Sequence, residues 1–162
     1  MLDADWRWTD PDGWHVTLAF LGATPPNAVP EILDRLAEEL AGSEGFSVAA
    51  GGIGGFPGRS RARVLWYGVQ DERRQLADLA QLVRAATGLD ETSPFRPHVT
   101  LARARERQGV PLPSLAVDGL PAGEVPVTAV HLMRSHVGSG PARYETLAEI
   151  SLSTAVAAGA AP

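Results

Sequence analysis

The tetrapeptide His-Val-Thr-Leu occurs twice, at residues 15–18 and 98–101, about half the chain apart. Each copy alternates polar and apolar residues, which is the pattern of a half-buried strand. In such a strand His15 and Thr17 share one face while Val16, Leu18 and Phe20 point the other way; His98 and Thr100 are likewise backed by Val99 and Leu101. A fold that accepts this chain must therefore mount an imidazole and a hydroxyl, roughly 7 Å apart along the backbone, on two strands whose backs are core. A duplicated strand at this spacing predicts two strand-helix halves related by a pseudo-twofold axis, with the two motifs facing each other.

The punctuation of the chain agrees with that division. The segments 6–9 and 14–21, joined by Asp10-Pro-Asp-Gly13, read as a hairpin. After the breaker Thr24-Pro-Pro-Asn27, the residues Val29, Leu33, Leu36 and Leu40 recur at helical spacing. A strand is expected in 46–57 and another in 62–69. A second helix follows, with Asp71 as its cap, Leu76, Leu79, Ala80 and Val83 as its buried stripe, and Gly88 as its end. The second motif strand, a Pro/Gly-rich crossover over 109–123, strands near 126–134 and 144–152 with a turn at 138–141, and a fraying tail complete the reading. No glycine fingerprint of a parallel nucleotide-binding sheet is present, so the expected class is α+β with antiparallel sheets.

Composition sets limits on function. All 14 basic residues are arginine and the net charge is −5, so a broad electrostatic grip on nucleic acid is not expected, although a local basic rim remains open. There are no cysteines, which removes disulfides, thiolate metal sites and a cysteine nucleophile. The N-terminal residues lack the basic start and apolar run of a signal peptide, and no apolar stretch reaches the length of a membrane span. A cytoplasmic protein is expected.

Histidine is the side chain that takes and gives protons near neutral pH, and two of them around one substrate can hold opposite protonation states. That pairing suits in-line displacement at phosphorus. One imidazole activates water, the other protonates the departing oxygen, and threonine hydroxyls donate to oxygens on which charge accumulates. Zinc fits poorly, since no HExxH occurs and neither motif contains a carboxylate. Thr17 or Thr100 as a nucleophile would need only one copy and leave the duplication unexplained. The bland alternative is that His-Val-Thr-Leu is simply a good strand sequence. Only four histidines occur, however, and two sharing their next three residues rarely arise by chance.

The segments WRWTDPDGWHVTLAFLG, GGFPGRSRARVLWYGV, FRPHVTLARA and MRSHVGSGPARYETLAEISL, in this order, resemble the RNA 2',3'-cyclic phosphodiesterases, also called 2'-5' RNA ligases, of the two-histidine phosphoesterase superfamily. The resemblance implies a bilobal α+β fold, with two pseudo-twofold-related antiparallel sheets, helices outside and a central groove. It further implies opening of a terminal 2',3'-cyclic phosphate to a 2'-phosphomonoester. His15 then corresponds to the proton donor for the leaving 3'-oxygen and His98 to the proton acceptor that activates water, with Thr17 and Thr100 holding the phosphate. The alternatives are 2'-5' RNA ligation, chemically the reverse reaction, and a non-catalytic RNA-end or nucleotide-binding module. The expected partners are RNA 3' ends or nucleoside 2',3'-cyclic phosphates, met by a monomer with no cofactor, metal or membrane.

Family members usually begin with an apolar strand and a helix, whereas here only fourteen residues precede His15. The expectation is a single bilobal domain over 1–154 lacking that first strand and helix, followed by a flexible tail over 155–162. Either the start lies further upstream or one sheet carries an unpaired position.

Further candidates for substrate contact are Arg103, Arg63, Phe56 and Tyr144. Arg103 resembles a family arginine, but strict alternation places it on the face of Val99, and only a strand end or bulge would turn it toward Thr100. Arg59, Arg61 and Arg63 are candidates for a rim contacting RNA phosphates. Phe56, Trp66 and Tyr144 are weighed between stacking a base and packing the core. His131 and His136 lack the following threonine; His131 reads as structural and His136 as exposed.

Overall fold

A computed structural model describes residues 4–89, 94–113, 123–136, 138 and 142–153. The chain forms β1 (Trp6–Trp8), α1 (Val29–Glu39), β2 (Phe46–Phe56), β3 (Val64–Gln70), α2 (Gln75–Thr87), β4 (His98–Ala104), β5 (Gly123–Val127), β6 (Ala129–His136) and β7 (Arg143–Ser151). The first five strands in space run β1-β4-β3-β2-β5 in one sheet, and β6 and β7 pair as a second. Every ladder among these strands is antiparallel. The α+β class and the pair of antiparallel sheets match the expectation, and the sheets differ in size. No helix among the described residues is long and apolar enough to cross a membrane.

The two helices form where the periodicity predicts them. Pro30 sits in the first turn of α1, where its missing N–H costs no hydrogen bond. The α2 stripe is buried at Leu76, Leu79, Ala80 and Val83, and Ala86 extends it. Asp71 accepts hydrogen bonds from the Leu76 and Ala77 N–H groups at 3.1 and 2.9 Å, satisfying donors of the first turn. Gly88 closes the helix at φ 68°, a left-handed conformation that glycine adopts without a Cβ penalty.

Two cores result. One lies on a single face of the large sheet, where Trp6, Leu65, Tyr67, Leu101 and Ala102 pack with Ala62 and Val110. The other joins Leu36 of α1 and Leu40 at its C-cap, Leu79, Val83 and Ala86 of α2, Val130 and Leu152. The sheet face opposite the first core is thereby left for other use.

The hairpin expected between 6–9 and 14–21 does not form. Asp10 caps a short 3-10 turn at Pro11–Gly13, and its side chain accepts from the Asp12 N–H at 3.1 Å. That turn carries the chain onward instead of folding it back. Both flanking segments therefore lie along β4, β1 beside Ala102–Ala104 and Val16 in an isolated antiparallel bridge with Val99. Because the first motif leaves the ladder after Val16, Phe20 is not held in the core and is 75% exposed. His131, read as structural, is exposed on β6, 3.9 Å from Glu149. Of the crossover expected over 109–123, residues 114–122 lie outside the described residues, as do most of the turn over 138–141 and the tail over 155–162.

Candidate active site

The Val16–Val99 bridge brings the two motifs together. In antiparallel register it sets His15 opposite Thr100, with His98 on the same face of β4 as Thr100; Thr17 follows just past the bridge. Direct partners in such a pair stand about 4.5–5.5 Å apart at Cβ and diagonal ones about 7–8 Å. The diagonal joins His15 to His98, a separation into which a tetrahedral phosphate fits between two rings. Both histidines are half-buried and Thr17 is exposed, so the cluster is open to a ligand.

The two imidazoles are oriented in the same way. His15 Nδ1 lies 2.7 Å from the Gly13 carbonyl and His98 Nδ1 lies 2.6 Å from the Arg96 carbonyl, in each case two residues upstream. A carbonyl only accepts, so Nδ1 must carry the proton and donate. Nε2 is then the working atom of both rings, an acceptor when the ring is neutral and a donor when it is charged. Each ring also has an aromatic edge contact. Tyr144 meets His15 at 4.5 Å between centroids and an interplanar angle of 70°, and Phe56 meets His98 at 5.0 Å and 82°.

The floor beside His98 is aromatic. Trp66 is paired with Thr100 across β3 and β4, and its ring lies 6.4 Å from that of His98 and 5.4 Å from that of Phe56. A Cβ on Gly54 would sit 2.1 Å from the indole, so the ring can lie flat only over a glycine.

A bulge decides the position of Arg103. Trp66 pairs with Thr100 but Leu65 pairs with Ala102, leaving Leu101 as an extra residue in β4. Alternation restarts after it, and Arg103, opposite Val64, returns to the face of Thr100 and Trp66. Arg63 is not brought to the cluster. Its backbone carbonyl accepts from Ala104 N–H, and continued alternation gives it the face of Leu65. Arg59 donates to the Ile53 carbonyl at 3.2 Å, and Arg61 is exposed in the same loop.

Thr9 and Trp14 were not legible as part of the site. The Thr9 hydroxyl lies 2.8 Å from both the Thr100 and Leu101 carbonyls at the bulge, and it accepts from Trp14 Nε1 at 3.1 Å. The residue before His15 is thus tied to the strand that carries His98. The only signal in the sequence is that both flank the 10–13 turn.

A cavity of about 1280 Å³ opens beside the cluster. It reaches Arg7, His15, Thr17, Arg103 and Tyr144 and runs inward to Leu36 and Val83, while His98 and Thr100 stand outside it. Among the described residues no group of three or more His, Asp or Glu converges to hold a metal ion.

A model of the 2'-5' RNA ligase superfamily matches residues 12–139. An RNA 2',3'-cyclic phosphodiesterase of Geobacillus stearothermophilus is 32% identical over 150 residues, covering 90% of this chain and 47% of that protein. Another of the same description from Aeropyrum pernix is 32% identical over 146 residues, covering 86% and 82%. The chain spans about half the length of the first of these relatives. Among solved structures, the protein TT0787 of Thermus thermophilus superposes with a TM-score of 0.73 at 28% identity, covering 91% of this chain and 82% of that one. E. coli LigT complexed with 3'-AMP gives 0.69 at 26% identity, covering 90% and 80%.

Proposed function

The chain belongs to the 2'-5' RNA ligase superfamily, and from that premise we propose that it hydrolyses 2',3'-cyclic phosphate ends of RNA or nucleotides to 2'-phosphomonoesters without a metal. The observation that carries the reading is the matched orientation of the two imidazoles. Each donates Nδ1–H to a carbonyl two residues upstream, and the Val16–Val99 bridge sets them diagonally across one face.

His98 acts as the base. Its neutral Nε2 takes a proton from water as the water oxygen bonds to phosphorus. The bond from phosphorus to the 3'-oxygen breaks, and protonated His15 gives its Nε2 proton to that oxygen. The division of labour follows the family resemblance, since the two sites are oriented alike. Thr17 and Thr100 donate to the non-bridging oxygens as charge grows on them. Arg103, turned to this face by the bulge, lies beside them. Phe56 and Tyr144 hold the histidine rings by their edges and border the space for the nucleoside.

The relatives' description as RNA 2',3'-cyclic phosphodiesterases supports hydrolysis as the direction. The family's other description, 2'-5' RNA ligase, keeps the reverse reaction as the second reading. Incubating the protein with the four nucleoside 2',3'-cyclic phosphates and resolving the 2'- and 3'-phosphate products tests the proposal. Release of 2'-phosphates in the presence of chelator is expected. Exclusive 3'-phosphate, dependence on an added divalent ion, or joining of a 5'-hydroxyl RNA without hydrolysis would each contradict it.

A further inference from the structure

Arg7 and Arg103 are direct partners across β1 and β4. Cross-strand partners share a face and stand about 4.5–5.5 Å apart at Cβ, where like charges destabilise the ladder. The usual relief is a nearby carboxylate. Among the described residues neither side chain makes an ion pair or a hydrogen bond. The pair is nevertheless set toward the site, because the Leu101 bulge returns Arg103, and with it Arg7, to the face of His98 and Thr100. Both also line the cavity that reaches His15 and Thr17.

The pair lies one bulge-shortened repeat beyond Thr100 along β4, roughly 7 Å at the α-carbons. An arginine side chain spans that offset, so the pair reaches past the phosphate held by Thr100 to the next one along a strand of RNA. Two planar guanidiniums side by side present several N–H donors, the geometry that matches phosphate oxygens.

We propose that Arg7 and Arg103 together hold the phosphodiester linking the terminal nucleotide to its neighbour, so that the protein favours an RNA end over a free nucleoside 2',3'-cyclic phosphate. The identity of the terminal group rests on the phosphodiesterase reading. A local arginine pair also suits a chain with a net charge of −5, for which a broad electrostatic grip is not expected.

The test compares kcat/KM for uridine 2',3'-cyclic phosphate with that for the dinucleotide uridylyl-(3'-5')-uridine 2',3'-cyclic phosphate, in the wild type and in Arg7→Gln. The wild type should prefer the dinucleotide, and the variant should lose about tenfold on it, mainly through KM, with a several-fold smaller loss on the mononucleotide. Dependence of dinucleotide KM on salt should weaken in the variant by about 0.7 in the log-log slope, the change for one phosphate contact on a single strand. Equal losses on both substrates, or no dinucleotide preference in the wild type, would overturn the proposal. Relief of the like-charge contact should leave the variant's Tm at low salt unchanged or raised; a fall of several degrees would make Arg7 structural and also overturn it. If the wild type turns over neither substrate, the phosphodiesterase reading fails by itself. Fluorescence anisotropy with a labelled tetranucleotide ending in a 2',3'-cyclic phosphate then decides the pair: weaker binding by Arg7→Gln upholds it, and equal binding ends it.

Discussion

His98 stands in a strand laddered to β3 through Gly68, Tyr67 and Trp66, whereas the strand pairing of the His15 segment is the single bridge from Val16 to Val99. Both rings nevertheless make the same hydrogen bond to the carbonyl two residues upstream. The comparison separates what a tetrapeptide and its upstream neighbours encode from what the rest of the chain must supply. Ring orientation is local and survives the change of context. Backbone support is not local, and on the His15 side it comes from side chains: the Tyr144 edge, and the link from Trp14 through Thr9 to the bulge in β4.

The largest test of this equivalence is removal of either ring. His98→Ala and His15→Ala should each lower kcat by about 10²–10⁴-fold, the usual contribution of a general acid or base, with far-UV circular dichroism unchanged. A variant that keeps most of its activity would break the pairing. Thr17→Val and Thr100→Val come next, with an expected loss of about 10²-fold in kcat each if both hydroxyls stabilise developing charge. A loss confined to one of them would show that the two motifs do not share the phosphate evenly.

The asymmetry of support is sharpened by a smaller pair. Tyr144→Ala should lower kcat about tenfold and Phe56→Ala only a few-fold, because an edge contact worth about 0.5–1.5 kcal/mol matters more where no ladder holds the ring. Steady-state kinetics on a nucleoside 2',3'-cyclic phosphate reads the difference, and equal effects would argue that the ladder is irrelevant to ring placement.

The smallest effect concerns the β6–β7 hairpin that carries Tyr144. His136 donates to Glu145 at 2.9 Å, and that hydrogen bond, against the opposing effect of desolvation and with the nearby Arg134 and His136 charges, holds the Glu145 carboxyl below the ordinary glutamate value. A depressed carboxylate pKa stabilises the fold at neutral pH, and that stabilisation is lost as pH falls through the lowered value. Thermal melts at pH 7 and pH 3 should show a small deficit for Glu145→Gln at pH 7 that closes on acidification. A deficit that is unchanged at pH 3 would contradict the assignment.

The sequence makes the elements legible wherever one residue pattern determines them. The α2 stripe, the Asp71 cap and the Gly88 terminus stand where the residue pattern places them. Strand partnership is less legible because it depends on contacts remote in sequence. The Asp10–Gly13 stretch contains a turn, but whether the chain then doubles back or continues along β4 is set by β4 itself. Arg103 teaches the same lesson at one residue: alternation points it away from Thr100, and the extra Leu101, visible only in the pairing with β3, turns it back. Thr9 leaves no pattern, since a hydroxyl between two carbonyls and an indole is a tertiary event.

The proposed catalysis depends on two imidazoles serving one phosphorus from opposite sides, and the dependence of kcat/KM on pH tests this most directly. With a nucleoside 2',3'-cyclic phosphate, the wild type should give a bell. Residual activity in His98→Ala should lose the acidic limb and that in His15→Ala the basic limb. A bell that persists in either variant, or a wild-type profile with a single limb, would contradict it.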